Sequence, residues 1–269
     1  MHVSTTTKPW RLKQRFGQNL LIDQNIARKI VSAIYWEWGK SVIEIGPGTG
    51  ALTGLILQKA DRLTAVEIDS QFVEFLRKQY GENQKFNLIK SDILDMNWQK
   101  LAGEERRSQI VGNLPYNITS PVIFTIIQNR SWLTAATLMV QKEVADRLIA
   151  PAGIKARGIL SVLCQYYAQV HRLFNVSRNC FRPIPKVDST VIQMILYPEP
   201  PVCVRNEEKF HDIVRTAFGQ RRKKMSNSLA KFLTIASTEL INSAILERRP
   251  EELTVEEFVN LANELCGDE

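Results

Sequence analysis

Apolar residues recur along the chain in two alternating rhythms. Short runs, Ser41-Val-Ile-Glu-Ile45, Leu63-Thr-Ala-Val66, Phe86-Asn-Leu-Ile-Lys90, Ser108-Gln-Ile-Val111 and Ala136-Thr-Leu-Met-Val140, have the length and burial pattern of strands. Between them the apolar positions fall at helical spacing. Asp23 caps a helix carrying Ile26, Ile30, Val31 and Ile34, which Gly39 ends. Further helices are predicted over 51–59, from Asp69 or Ser70 to about Tyr80, over 120–128 with Pro121 in the first turn, over 142–149 and over 159–168. Strands alternating with helices of this length predict an α/β fold, a parallel sheet with helices on both faces. Two late strands are expected around 170–176 and 190–197. Pro198-Glu-Pro-Pro201 then resists both helix and central strand, and everything beyond it reads helical, with Thr254-Val-Glu-Glu257 as a capping box. The expected division is a sheet domain over 1–199 and a small all-helical domain over 200–269.

Polar residues cluster where the strand runs stop, and ligands of parallel sheets bind at the C-terminal ends of strands. The first strand runs into Gly46-Pro-Gly-Thr-Gly50, whose glycines permit a tight turn and a close ligand. This is neither the dinucleotide fingerprint nor a phosphate-binding P-loop, because the second variable residue and the Lys-Ser/Thr pair are missing. Glu67 ends the second strand, where a carboxylate accepts from ribose hydroxyls, and Asp92 ends the third, in reach of an adenine amine. Together they describe a pocket for an adenosyl group without pyrophosphate, which fits S-adenosylmethionine better than NAD. The fourth strand ends in Gly112-Asn-Leu-Pro-Tyr-Asn117. Pro115 stiffens this stretch, Asn113 offers an amide oxygen to an exocyclic amine, and Tyr116 offers a ring on which a base can stack. Singly, each of these residues is equally an ordinary cap or turn residue.

Charge adds a partner. Of the formal +7, residues 247–269 contribute −6 through eight acids against two bases, so the preceding body carries +13. A basic body suits a polyanion such as nucleic acid. Arg221, Arg222, Lys223 and Lys224 form the densest basic cluster, at the expected join of two helices, and Arg11, Lys13 and Arg15 form a second in the basic lead-in. Cys164, Cys180, Cys203 and Cys266 are widely spaced and His2, His171 and His211 scattered, so no metal site is expected. No apolar run reaches the roughly 18 residues of a membrane span, and the N-terminus lacks a signal-peptide core, which points to a cytoplasmic protein.

With Arg15-Phe-Gly-Gln-Asn-Leu-Leu21, Glu44-Ile-Gly-Pro-Gly48, Asn113-Leu-Pro-Tyr-Asn117, Gln141-Lys-Glu-Val144, Phe181-Arg-Pro-Ile-Pro-Lys-Val-Asp-Ser189 and Phe218-Gly-Gln-Arg-Arg-Lys223, the chain resembles the ribosomal RNA adenine dimethyltransferase family over nearly its whole length. The resemblance implies a Rossmann-like S-adenosylmethionine-dependent methyltransferase sheet with a small C-terminal helical domain. It further implies dimethylation at N6 of two adjacent adenosines in the 3′-terminal hairpin of 16S rRNA, within the small ribosomal subunit, by a monomer. Carried over residue by residue, Asn19 and Leu21 close over the cofactor, Gly46 lies against its methionine part, Glu67 at the ribose, Asp92 at the adenine and Asn113 where cofactor and target meet. Thr49 stands where relatives often carry an apolar residue. Gly219 stands where Asn or Ala is common, which could loosen a helix.

The chemistry follows from the amine. The N6 lone pair of adenine is delocalised into the ring, and acceptors at Asn113 Oδ1 and the Leu114 carbonyl draw the nitrogen toward a tetrahedral shape. Pro115 stiffens the presentation, Tyr116 stacks on one face of the unstacked base, and Phe181 is the candidate for the other. The alternatives are a 23S rRNA adenine methyltransferase of the antibiotic-resistance kind, which shares the Asn-Leu/Ile-Pro-Tyr site, and a protein acting mainly in ribosome assembly. A DNA adenine methyltransferase is disfavoured, since no separate target-recognition domain is present.

Overall fold

The computed structural model describes residues 17–102, 108–233 and 243–266. The chain passes through β1 (Leu20–Leu21), α1 (Gln24–Ser32), β2 (Ser41–Ile45), α2 (Thr53–Leu57), β3 (Arg62–Glu67), α3 (Ser70–Tyr80), β4 (Phe86–Lys90) and α4 (Trp98–Ala102). It continues through β5 (Ser108–Asn113), α5 (Thr119–Gln128), β6 (Leu133–Gln141), α6 (Lys142–Leu148), α7 (Ile159–Tyr167), β7 (Ala168–Val176), β8 (Phe181–Arg182) and β9 (Ser189–Leu196). Helices α8 (Glu207–Gly219), α9 (Met225–Ser228), α10 (Ala230–Leu233), α11 (Ser243–Leu246) and α12 (Val255–Cys266) complete it. The expected elements are present with shifted ends. Two were not anticipated: α4, and the pair β1–β8, whose two-residue strands are too short to carry a period.

Seven strands form one sheet in the order β4-β3-β2-β5-β6-β9-β7. The five from β4 to β6 run parallel, while β9 is antiparallel to β6 and β7 to β9. Strand order reverses between β2 and β5, and a crevice opens at their C-terminal ends. The strand pleat divides the core. Ile43, Ile45 and Ile110 face Trp98 of α4, Ile123 and Ile126 of α5 and Val162 of α7. Their neighbours Val42 and Val111 face Ala27 and Ile30 of α1 and Ile56 of α2 on the opposite side.

The prolines at 198–201 fall between β9 and α8, where a linker was expected. The helices beyond it nonetheless share a core with the sheet layer. Phe210, Ile213 and Val214 of α8 and Phe258 and Leu261 of α12 belong to the same apolar cluster as Val162, Tyr166 and Tyr167 of α7. A buried arginine ties the two parts. Arg157 donates through Nη1 to the Ala150 carbonyl and to Gln165 Oε1, both at 2.7 Å, and through Nε to the Leu253 carbonyl at 3.2 Å. Such a charge stays buried because its donors are matched to acceptors. The Thr254 capping box forms, with the Thr254 amide donating to Glu257 Oε2 at 2.8 Å and the Glu257 amide to Thr254 Oγ1 at 3.1 Å. Gly219 closes α8 as its last residue and so does not weaken the helix interior.

Candidate active site

A cavity of about 320 Å³ lies at the C-terminal ends of β2, β3, β4 and β5, in the size range of small-molecule sites. Asn19, Leu21, Gly46, Glu67, Asp92, Asn113, Leu114, Pro115 and Tyr116 all line it. Residues spread over about a hundred positions meet here because Gly46, Glu67, Asp92 and the run from Asn113 sit at or just past the ends of neighbouring strands, while Asn19 and Leu21 reach the cavity from the lead-in.

The glycine loop forms one wall. Gly46, at φ +62°, lies against the cavity, and a Cβ built there meets no protein atom within 4 Å. Any side chain at this position would take up cavity space. Gly48, at φ +56°, turns its amide toward Glu67 Oε2, at 3.0 Å, and the Asp69 amide donates to Glu67 Oε1 at 2.9 Å. Glu67 is thus fixed at the strand end by two backbone donors, and burial still pushes its carboxyl above the ordinary range. Asp92 sits one strand further on, where its Oδ1 accepts from the Leu94 amide at 3.0 Å. Two carboxyl groups at adjacent strand ends beside an open glycine cradle give the cavity the acceptors that an adenosyl ligand's hydroxyl and amine groups require.

The lead-in forms the opposite wall. Gln18 Nε2 donates to Asp69 Oδ2 at 3.0 Å. Leu20 and Leu21 pair with Arg182 and Phe181 across the β1–β8 ribbon. Asn113 Nδ2 donates to the Asn19 carbonyl at 2.8 Å. That bond commits the amide nitrogen and sets Oδ1 as the acceptor the side chain presents. Just beyond, the Leu114 amide donates to the Met139 carbonyl at 3.1 Å, and the Pro115 carbonyl accepts from the Ile118 amide and from Thr119 Oγ1, each at 3.1 Å. Tyr116 is half-buried, and its hydroxyl lies 3.1 Å from Ser189 Oγ of β9, which holds the ring in place.

Phe181 corrects a sequence-based expectation. Its ring is 0% exposed, packed in the cluster of Leu21, Val111, Met139, Val176 and Val191, and it does not line the cavity. The ring anchors the proline-rich loop from below and has no face open to a base. The sequence also gave no role to Glu44. It is fully buried in the cavity wall beside Glu67, accepts from Thr53 Oγ1 at 2.7 Å, and has its pKa raised from 4.5 to about 8 by desolvation. Its place in the Glu-x-Gly-x-Gly pattern was the available signal.

The basic cluster lies where α8 gives way to α9. Arg222, Lys223 and Lys224 are exposed and Arg221 is half-buried; Arg221 lies 3.7 Å from Glu251 and Lys224 lies 2.5 Å from Glu247. The cluster at Arg11, Lys13 and Arg15 falls outside the described residues. Among the described residues no group of His, Cys, Asp or Glu is arranged to hold a metal, and no helix is long and apolar enough to cross a membrane.

A sequence model of the family "Ribosomal RNA adenine dimethylase" matches residues 10–266. The "Ribosomal RNA small subunit methyltransferase A" of Chlorobium phaeobacteroides is 43% identical over 254 residues, covering 94% of each chain. A crystal structure of a dimethyladenosine transferase from Plasmodium falciparum superposes with a TM-score of 0.75 at 25% identity, covering 90% of this chain and 95% of that one. The 23S rRNA methyltransferase ErmE has the same fold, with a TM-score of 0.68 at 22% identity, over 90% of this chain and 100% of its own.

Proposed function

The chain belongs to the ribosomal RNA adenine dimethylase family, and from that premise we propose that it dimethylates N6 of two adjacent adenosines in the 3′-terminal hairpin of 16S rRNA. S-adenosylmethionine, the methyl donor of this family and fold, supplies an electrophilic methyl on a sulfonium. The observation that carries the reading is the fixed amide of Asn113. With Nδ2 held by the Asn19 carbonyl, Oδ1 is left as an acceptor for a hydrogen-bond donor on the substrate. An exocyclic adenine amine is such a donor.

Each residue then has a task. Gly46 leaves room for the methionine part, Glu67 accepts from the ribose hydroxyls and Asp92 from the adenine of the cofactor. Asn19 and Leu21 cover it from the lead-in. Tyr116, clamped through Ser189, offers its ring to the target base once that base leaves the stack. In the first transfer Asn113 Oδ1 and the Leu114 carbonyl accept the two N6–H bonds, and in the second one of them accepts the single N–H that remains, so that each time the nitrogen lone pair points at the methyl carbon. As the N–C bond forms and the C–S bond breaks, positive charge grows on nitrogen and both acceptors strengthen, which favours the transition state over the ground state. A neutral amide takes no proton; the surplus N6 proton passes to water. Pro115 keeps the two acceptors at a fixed separation. Arg221, Arg222, Lys223 and Lys224 contact RNA phosphates from the helical segment 200–269, Arg221 and Lys224 while also facing Glu251 and Glu247. The protein acts as a monomer in the cytoplasm on the small subunit.

The test incubates the protein with labelled S-adenosylmethionine and undermethylated small or large ribosomal subunits. Label is expected in two neighbouring adenosines of the small-subunit RNA. Label confined to the large subunit refutes the reading.

A further inference from the structure

The loop from Pro183 to Asp188 lies outside the machinery described so far, yet both of its ends are built into it. At one end β8 pairs with β1, Leu20 opposite Arg182, and Leu20 lines the cavity on the cofactor side. At the other end Ser189 holds the hydroxyl of Tyr116, on the side of the target base. The loop therefore connects the two lips of the site. It is also stiff. Phe181 and Pro185 are buried beneath it, Asp188 Oδ1 accepts from the Arg178 amide at 2.9 Å, and the Asp188 carbonyl accepts from the Lys142 amide at 3.0 Å. Prolines on either side of Ile184 restrict its backbone further.

On this pinned loop two large aliphatic side chains point into water. Ile184 is 52% exposed and Val187 43%. The stretch 178–188 that carries them also holds Arg178, Arg182 and Lys186, all exposed, against Asp188 as its one acid. Apolar tips held rigidly among cations are what the inserted wedges of nucleic-acid-bending proteins present: the cations settle on phosphates while the aliphatic group enters between bases and unstacks them. Three flanking cations favour a phosphate-bearing partner over a neutral protein face. A base destined for Tyr116 must leave its stack, and the gap it leaves opens beside this loop.

We propose that Ile184, seconded by Val187, is a wedge that enters the RNA stack next to the target adenosine and holds it open while the base sits in the pocket. Ile184 is a positioning residue: it touches the neighbouring bases and not the reacting atoms. The inference rests on the reading of the preceding subsection for its substrate.

The experiment uses an RNA hairpin of the small-subunit 3′ end with 2-aminopurine at a target position, whose fluorescence rises on unstacking, and whole small subunits for methyl transfer. Wild-type protein is expected to raise the fluorescence severalfold. Ile184→Ser cuts that rise at least about threefold and Ile184→Leu restores it, while Ile184→Ser unstacks and binds an unstructured oligonucleotide of the same local sequence within about twofold of wild type. An unchanged rise with the Ile184→Ser/Val187→Ser double variant overturns the wedge, as does an equal loss on hairpin and oligonucleotide. Slower methyl transfer on subunits with an unchanged hairpin signal assigns the loop to a ribosomal protein, and also overturns it. A wild-type protein that methylates no subunit refutes the preceding reading, while the hairpin signal of Ile184→Ser against wild type still decides for or against the wedge.

Discussion

Asn113 is neutral across the whole pH range in which proteins fold, which decides what it can do for an amine. It orients and polarises; it does not remove a proton. Asn113→Ala therefore removes an acceptor that strengthens in the transition state, and methyl transfer should fall by about a hundredfold or more. Its Nδ2 also holds the Asn19 carbonyl, so affinity for S-adenosylmethionine should fall as well, but only severalfold. Single-turnover transfer read beside calorimetric titration separates the two, and equal losses in both would mean that Asn113 serves only to seat the cofactor. Glu44 makes the opposite case, a residue whose charge depends on its surroundings. Its folded pKa is raised from 4.5 to about 8 by burial, and Glu67 is raised as well. A carboxyl raised in this way favours the fold fully below its unfolded pKa, and that contribution is lost as pH climbs through the folded one. The urea midpoint should accordingly decline from about pH 4.5 to about pH 8. Glu44→Gln, which keeps the Thr53 hydrogen bond without the titration, should remove a few kcal/mol of that decline. A variant with the wild-type slope would mean that Glu44 ionises in the fold without cost.

Elements explain which parts of the site can be read from residues in a row. The glycine loop, Glu67 and Asp92 stand directly behind runs of strand length, so the periodicity that gives the strands also gives the site. Gly46 sharpens this into a prediction. At φ +62° with open space before it, Gly46→Val costs about 1–2 kcal/mol of backbone strain and fills part of the cavity. Binding of S-adenosylmethionine should weaken by more than about tenfold while the folded circular-dichroism spectrum is kept. Binding within twofold of wild type would place the methionine part elsewhere. The β1–β8 ribbon was not legible for the converse reason. Two residues on each side, more than 150 positions apart, leave no period to detect, and the pairing is a purely tertiary event. Phe181 was misread on the same account: a ring on a proline-stiffened loop looks equally suited to stacking and to anchoring, and only its neighbours Leu21, Val176 and Val191 decide for anchoring. Helix α4 is five residues long, below the length at which a helical period is recognisable.

At the scale of the whole molecule, the sequence disclosed a basic body and an acidic end but not that the two meet. Glu247 and Glu251, from the segment that carries −6, reach back to Lys224 and Arg221 of the basic cluster. The four cations are therefore unequal. Arg222 and Lys223 are exposed and release counterions directly when they meet phosphate. Arg221 and Lys224 must first part from a carboxylate. The logarithm of RNA affinity falls linearly with the logarithm of salt concentration, with a slope set by the phosphates neutralised. Lys223→Ala and Arg222→Ala should each lower that slope by about one unit. Arg221→Ala and Lys224→Ala should lower it less, because the chain already spends part of those charges internally. Glu247→Gln frees Lys224 and should tighten binding at low salt, an advantage that fades as salt screens the exposed pair. Filter-binding titrations of the 3′ hairpin across a salt series read all five variants at once. Equal slopes for the four cation variants would mean that the acidic segment swings clear of the cluster when RNA arrives; unchanged slopes throughout would remove the α8–α9 join from the RNA interface altogether.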